Sequence, residues 1–158
     1  MVLSVRMKSL IKNIAIPLIV GGVAGFLTNN GVKEFMTTVQ KPVFMPPGWL
    51  FPVVWTILYI LMGFAAYIIE NTTSARKPRA LTLYYLQLFF NFVWSFIFFS
   101  VGNYLFAFIW IIILWLLIIA TILEFRFIKA RAAYILIPYL IWVTFAAVLN
   151  FSVYLLNK

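Results

Sequence analysis

Residues 80–123, ALTLYYLQLFFNFVWSFIFFSVGNYLFAFIWIIILWLLIIATIL, contain no charged side chain. An apolar helix needs about 20 residues to cross the hydrocarbon core of a bilayer, so this stretch is long enough for two spans. Val101-Gly102-Asn103 interrupts it, and glycine followed by asparagine favours a tight turn. The stretch therefore predicts a transmembrane helical hairpin, Leu81–Val101 and Tyr104–Leu123.

Three further apolar segments lie on either side of this hairpin, and they predict spans from Asn13 to Asn29, from Trp49 to Ile69 and from Ala132 to Leu156. Across the 158 residues, 66% of side chains are hydrophobic and only 9% are charged. Soluble domains carry about 25% charged residues, so this composition cannot build a surface exposed to water. We predict an all-α membrane protein, one domain over residues 1–158 with five transmembrane helices.

The basic residues predict the orientation of this bundle. With five spans, nine of them share the side of the N-terminus and three share the other side. The nine are Arg6, Lys8, Lys12, Arg76, Lys77, Arg79, Arg126, Lys129 and Arg131; the three are Lys33, Lys41 and Lys158. The positive-inside rule then places the N-terminus in the cytoplasm. A signal-peptide interpretation of the first span would leave four spans instead.

The segment from Asn30 to Gly48 is predicted to be a long non-helical loop on the outer side. Pro42, Pro46 and Pro47 stiffen its second half before the second span begins. Loops of this length in compact proteins are often lids or binding loops. The prolines are equally consistent with a rigid start to the helix.

Polar and aromatic side chains inside the predicted spans recur at helical spacing. Each of three spans places such residues on one face: Trp55, Tyr59 and Met62; Gln87, Asn91 and Trp94; Pro138, Trp142, Ala146 and Asn150. Polar groups at this depth face the bundle interior or a cavity. They are either hydrogen-bonding contacts between helices or the lining of a ligand site.

In the first span, Gly21 and Gly25 form a small-xxx-small face. Small residues at this spacing permit close approach of another helix, within the bundle or across a dimer.

Several classes of chemistry are excluded by composition. The chain has no cysteine and no histidine, which excludes disulfides, thiolate and imidazole catalysis and zinc sites. We predict no catalytic residue of these types and no metal site. The net charge of +9 is distributed between the spans, so no continuous basic face remains for nucleic acid.

Four ordered motifs resemble the TspO/translocator protein family, also called the peripheral benzodiazepine receptor or tryptophan-rich sensory protein. They are Lys41-Pro42 with Pro46-Pro47, Val54-Trp55-Thr56, the Gln87/Asn91/Trp94 face, and Pro138-Tyr139 through Trp142, Phe145-Ala146 and Leu149-Asn150. The resemblance covers about residues 13 to 157. It implies a five-helix bundle, a homodimer and a cavity beneath the loop between the first two helices. It also implies that this cavity binds protoporphyrin and other tetrapyrroles, isoquinoline and benzodiazepine drugs and, in animal members, sterols.

The resemblance assigns roles to individual positions. Pocket positions are matched by Trp55, Gln87, Asn91, Trp94, Trp142 and Ala146, and lid positions by Pro42, Pro46 and Pro47. We also predict that Tyr59, Phe145, Pro46 and Pro47 bind the ligand and that Phe44 belongs to the lid. Phe35-Met36 stands where the family usually has Trp-Tyr, and Phe44 where it usually has tryptophan. Because the loop aromatics are implicated in porphyrin photodegradation by some bacterial members, these departures count against that activity here.

The function expected from the residues and the resemblance together is a membrane receptor or sensor for tetrapyrroles, in the lipid bilayer of a bacterial inner membrane. Without histidine or cysteine, strong axial ligation of haem iron is not expected, and metal-free porphyrin is favoured. Its propionates would lie near Lys33 or Lys41. The alternatives are a small-molecule or porphyrin transporter and a porphyrin-photodegrading enzyme, the latter relying on Trp55 and Trp142.

The charge distribution makes a direct prediction about topology. Reporter fusions at residue 75 and at residue 158 should lie on opposite sides of the membrane, with residue 75 in the cytoplasm. Alkaline phosphatase and green fluorescent protein activities of the two fusions measure this. The same side for both fusions would eliminate the five-span topology.

Overall fold

The computed structural model describes residues 2–158, in which five helical spans are long and apolar enough to cross a membrane. The helices are α1 Val2–Thr38, α2 Leu50–Glu70, α3 Lys77–Ser95, α4 Tyr104–Ile128, α5 Ala130–Ile135 and α6 Ile137–Leu156. A π-helical segment, Phe96–Val101, continues α3, and α5 with α6 forms the fifth span. The predicted all-α fold with five spans is confirmed.

The turn that divides the uncharged stretch lies where the sequence predicts it. Gly102 ends the π-helical segment with φ of 69°, a left-handed conformation that glycine adopts without steric cost. Asn103 then caps α4, because its side-chain oxygen accepts a hydrogen bond from the Phe106 N–H at 3.0 Å. Two residues therefore reverse the chain.

The fifth span is interrupted at Leu136, between α5 and α6. Pro138 has no N–H to donate, and its ring excludes the carbonyl group four residues earlier. The break is therefore a local consequence of Pro138 near the start of α6.

The prediction of a loop from Asn30 to Gly48 is wrong for the first half of this segment. Helix α1 continues to Thr38, and the connection to α2 is the shorter segment 39–49, called the roof loop below. Helix α1 also begins well before Asn13. At 1.5 Å per residue its 37 residues extend for ~55 Å, far more than the thickness of the hydrocarbon core.

Tertiary contacts explain why α1 continues beyond its apolar stretch. Phe35 is buried, and its ring centroid lies 5.2 Å from Phe98 and 5.5 Å from Phe99. The Lys41 ammonium group donates to the carbonyl groups of Phe35, Met36 and Val39 at 2.9–3.3 Å. These bonds satisfy carbonyl groups that the end of a helix leaves without a partner.

The five spans pack as a closed ring. Going round it, α1 contacts α2, α2 contacts α5 and α6, α6 contacts α4, α4 contacts α3, and α3 with its π-helical segment contacts α1. We call the end that holds the N-terminus and the connection 71–76 the basic end, and the end that holds the roof loop and the C-terminus the loop end. The half of the bundle toward the basic end is solid, with Met62, Ile69, Tyr84 and Phe125 almost completely buried.

Two glutamates are bound by several groups at the basic end. Glu70 forms an ion pair with Lys12 and accepts hydrogen bonds from Ser9 and Asn13. Glu124 is buried and pairs with Arg76 at 3.1 Å and Arg79 at 3.3 Å. These ion pairs join α1 to α2 and the start of α3 to α4.

Close backbone contact between α1 and α2 depends on Gly63. A Cβ atom at this position would lie 2.5 Å from the Asn13 carbonyl oxygen and 2.5 Å from the Ile14 Cα atom. Neither of these backbone atoms can move without moving α1 itself. Gly22, by contrast, has no atom within 4 Å of an added Cβ.

We expect Gly63→Ala to destabilise the bundle by about 1–3 kcal/mol, the usual cost of overpacking. Gly22→Ala is the matched control, and it should be neutral or stabilising because alanine is the better helix former. Thermal unfolding of both variants in detergent micelles measures the difference. Equal melting temperatures would show that the two helices do not require this contact.

Candidate functional site

A cavity of about 520 Å³ lies in the half of the bundle toward the loop end. It is bounded by α1, α2, α6, the end of α3 with its π-helical segment, and two residues of the roof loop, Met45 and Gly48. Its aromatic lining consists of Phe35, Phe51, Trp55, Tyr59, Trp94, Phe98, Phe99 and Trp142. Apolar walls with a few polar groups are typical of small-molecule sites.

Tyr59 forms the floor where α1 and α2 converge. Its ring stacks on Trp55, with centroids 5.5 Å apart and planes 28° apart. A Cβ atom on Gly21 would lie 2.2 Å from this ring, so any larger residue there would displace the ring. The predicted close approach at Gly21 is thus present within the bundle, whereas Gly25 lines the cavity.

A hydrogen-bonded chain lies behind this floor. The Tyr59 hydroxyl donates to Asn91 Oδ1 at 2.9 Å, and Asn91 Nδ2 donates to the Tyr139 hydroxyl at 2.9 Å. The Tyr139 hydroxyl in turn donates to Gln87 Oε1 at 2.7 Å. The chain joins α2, α3 and α6 through fully buried polar atoms.

Gln87 and Asn91 therefore lie one layer behind the cavity, and neither forms part of its surface. Their hydrogen bonds are those expected of contacts between helices. Direct contact of either amide with a ligand stays a prediction, and it would require Tyr59 to move.

Trp94 and Asn150 line the cavity, but their polar groups are already hydrogen-bonded within the protein. The Trp94 indole N–H donates to Asn150 Oδ1 at 3.1 Å, and Asn150 Nδ2 donates to the Tyr104 carbonyl at 2.8 Å. Their hydrogen bonds fix the position of this wall.

Trp142 differs from these residues. Its indole N–H is buried and has no hydrogen-bond partner within residues 2–158. The ring is held by Phe51 and Phe145, with centroids at 5.8 and 5.5 Å. A buried donor without a partner costs about 1–3 kcal/mol, so an acceptor on a ligand would recover that free energy.

Of the other predicted site residues, some line the cavity and the rest pack outside it. Trp55 and Ala146 line the cavity. Phe145 packs behind Trp142 and against Phe44 of the roof loop, at a centroid distance of 6.3 Å. The predicted lid residues lie in the roof loop but not on the cavity surface: Pro42, Phe44, Pro46 and Pro47.

The roof loop is hydrogen-bonded to the end of α1 and to Asn157, which follows α6. The Lys41 ammonium group donates hydrogen bonds to three carbonyl groups at the end of α1. To bind a porphyrin propionate, as predicted, it would have to give up these bonds. Asn157, after α6, forms a reciprocal pair with Gln40: its Oδ1 accepts from the Gln40 N–H at 3.0 Å, and its Nδ2 donates to the Gln40 carbonyl at 2.8 Å. This pair was not apparent from the sequence.

Sequence reasoning also missed the contribution of α1. Its cavity-facing positions are Leu18, Gly21, Gly22, Ala24, Gly25, Thr28, Asn29, Val32, Phe35 and Met36. Most of these residues are small or unremarkable in hydropathy. Seven of them lie in the predicted first span and three in the segment that we predicted to be a loop. The available signal was their recurrence at spacings of three and four residues through both segments.

The chain matches known proteins over nearly its whole length. The family model described as TspO/MBR family matches residues 13–156. The tryptophan-rich protein TspO of Archaeoglobus fulgidus is 38% identical over 94% of this chain and 96% of that protein. The tryptophan-rich sensory protein of Cereibacter sphaeroides is 36% identical, covering 78% and 77%. The translocator protein of Ovis aries is 32% identical, covering 87% and 84%.

The hydrogen-bonded chain of side chains behind Tyr59 leads to a prediction about stability. Tyr139→Phe removes the hydroxyl that bonds both Asn91 and Gln87, and hydrogen bonds between membrane helices average about 0.6 kcal/mol each. We expect the free energy of unfolding to fall by about 1 kcal/mol. Denaturation in mixed micelles measures it, with Tyr134→Phe at an exposed tyrosine as the control. Equal losses in the two variants would contradict a structural role for the chain.

Proposed function

This chain belongs to the TspO/MBR family, and we propose that it is an integral membrane receptor or sensor whose cavity binds a flat, largely apolar ligand. A metal-free tetrapyrrole such as protoporphyrin is the first candidate. Isoquinoline and benzodiazepine compounds and sterols are further candidates of similar character. The family membership and the aromatic cavity support the proposal together.

The observation that carries the proposal is Trp142, which lines the cavity and whose indole N–H is buried without a hydrogen-bond partner within residues 2–158. Because this N–H is itself buried, the indole has to turn toward the cavity before a ligand acceptor binds it. Trp94, whose indole also lines the cavity, has a hydrogen-bond acceptor. A ligand that places a carbonyl, carboxylate or ring nitrogen against Trp142 would satisfy this donor. Between the indoles of Trp55 and Trp142, the rest of such a ligand would meet aromatic surface.

The propionates of a porphyrin would favour the loop end. Lys41 is engaged by three carbonyl groups, which leaves Lys33 of α1 as the better partner. Lys33 is exposed and follows Asn29 of the cavity by four residues, on the same face of the helix. The absence of histidine and cysteine from the sequence favours a porphyrin without a coordinated metal.

The solid half of the bundle, toward the basic end, favours a receptor over a transporter. Below Tyr59 the interior is filled by side chains such as Met62, Ala66 and Tyr139, which are at most 1% exposed, so within residues 2–158 the cavity is closed toward the basic end. Glu70 and Glu124, which a proton-coupled transporter could use, are bound in ion pairs at the basic end. A transport cycle would have to open this packed half.

We further propose a homodimer in a bacterial inner membrane. The basic residues of one end suit the cytoplasmic face of such a membrane. Relatives from Chlorobaculum tepidum and Cereibacter sphaeroides, both over 35% identical, support a prokaryotic membrane as the setting.

The test is titration of protoporphyrin into the protein in lipid nanodiscs, followed by calorimetry so that no tryptophan serves as the reporter. Trp142→Phe keeps an aromatic ring and removes the N–H, and it should weaken binding by about 1 kcal/mol, roughly fivefold. Trp142→Ala also removes the aromatic wall and should cost 2 kcal/mol or more, roughly 30-fold.

The stability of the free protein provides the control. Because Trp142→Phe removes an unsatisfied donor, the unfolding temperature of the free protein should stay equal or rise while binding weakens. Trp110→Phe removes an indole N–H that donates to the Phe90 carbonyl outside the cavity, and it should leave affinity unchanged. Wild-type affinity in both Trp142 variants would reject the assignment of this cavity.

A further inference from the structure

We infer that the cavity exchanges its ligand directly with the bilayer, through a lateral opening between α1 and α2, and that the roof loop is not the route of entry. The inference rests on the proposed function, since it concerns how the proposed ligand reaches the cavity. It also restricts the ligand to molecules that dissolve in a membrane.

Toward the basic end the two helices are in direct contact. Gly63 of α2 meets the backbone of Asn13 and Ile14, and Gly21 of α1 meets the Tyr59 ring. Beyond Tyr59, toward the loop end, both helices contribute lining residues to the cavity. Toward the loop end, both helices therefore border the cavity.

The edges of this gap carry small or short side chains. On α1, Gly22 and Gly25 are exposed, and an added Cβ at either position would meet no atom within 4 Å. On α2, Pro52 and Thr56 line the cavity and are exposed as well. Met36 of α1, which also lines the cavity, is a bulky side chain at the roof end of the gap, where its Cε atom would lie 3.2 Å from a Cβ on Gly48.

The gap lies at the depth of the hydrocarbon core. Thr56 follows the start of α2 at Leu50 by six residues, ~9 Å along the helix. Its hydroxyl donates to the Pro52 carbonyl at 2.7 Å, so this edge offers lipid no unsatisfied polar group. Beyond the gap on α1, Ile19 and Phe26 are exposed on the surface that faces lipid.

The roof, in contrast, is closed by specific bonds. Lys41 fastens the loop to the end of α1, and Asn157 fastens Gln40 to the end of α6. Phe44 packs against Phe145 on the same side. Entry through the roof would break these contacts, whereas entry from the bilayer breaks none of them.

The test uses two sets of variants. Gly22→Phe places a ring at the α1 edge, and Val23→Phe places the same ring on the side of α1 away from the gap. Gln40→Cys with Asn157→Cys replaces the hydrogen-bonded pair by one that can be oxidised, and the chain has no other cysteine. Protoporphyrin in phosphatidylcholine vesicles is the probe, with stopped-flow porphyrin fluorescence for the rates and calorimetry for Kd.

A barrier in the route slows entry and exit alike. We expect Gly22→Phe to reduce the association and dissociation rates together, about tenfold each. Val23→Phe should keep both rates, and so should the oxidised roof pair. Thr56→Phe, which obstructs the gap from α2, is the second variant if Gly22→Phe does not fold, and the same reduction is expected.

Three results would overturn the inference. Unchanged rates with either edge variant, or a weaker Kd with an unchanged association rate, would show that the ring does not lie in the route. Loss of association on oxidation of the roof pair, reversed by a reductant, would show that the ligand enters through the roof. If the wild-type protein binds no protoporphyrin at all, the proposed function fails first, and the inference falls with it.

Discussion

The backbone contact at Gly63 is the constraint on which the rest of the bundle depends. Inside a membrane the apolar surface of a helix gains little by leaving lipid, so helices associate through close packing and hydrogen bonds. Gly63 brings α2 against Asn13 and Ile14 of α1, and Gly21 lets the Tyr59 ring pack beside α1. Below these contacts the bundle is solid. Above them α1 and α2 separate, and the cavity begins at Tyr59.

Hydrogen bonding separates the polar groups that hold the bundle together from a buried donor that has no partner. Asn91, Gln87, Tyr139 and Trp94 all have partners in the bundle. Within residues 2–158 two buried side-chain polar atoms have none, the Tyr84 hydroxyl and the Trp142 indole N–H. Tyr84 stacks on Phe125 in the solid half, away from the cavity. Trp142 lines the cavity, so its N–H is the one of these two groups that a bound ligand would satisfy once the indole turns toward it.

Much of this architecture could be predicted from the sequence. Hydropathy and charge gave the five spans, and Gly102-Asn103 gave the turn between the third and the fourth. Helical spacing correctly placed Trp55, Tyr59 and Met62 on one interior face. These signals are local, because they depend on length and on the order of side chains along a single helix.

The features that could not be predicted depend on contacts between distant segments. Helix α1 continues to Thr38 because Phe35 packs against the π-helical segment and Lys41 caps its carbonyl groups. Spacing placed Asn91 on the interior face, but only the structure shows that Tyr59 and Tyr139 bind its amide. Likewise, the pairing of Asn157 with Gln40 joins residues far apart in the chain.

The central claim is that the Trp142 N–H is the donor that a cavity ligand satisfies, and indole ¹⁵N–¹H correlation spectra test it most directly. The protein labelled at its six tryptophans in nanodiscs would be titrated with protoporphyrin, with the Trp142 signal assigned from the spectrum of Trp142→Phe. We predict that the Trp142 indole proton moves downfield as it gains an acceptor, while that of Trp110, already bonded to the Phe90 carbonyl, stays in place. Saturation with porphyrin that leaves the Trp142 signal unmoved would contradict the claim.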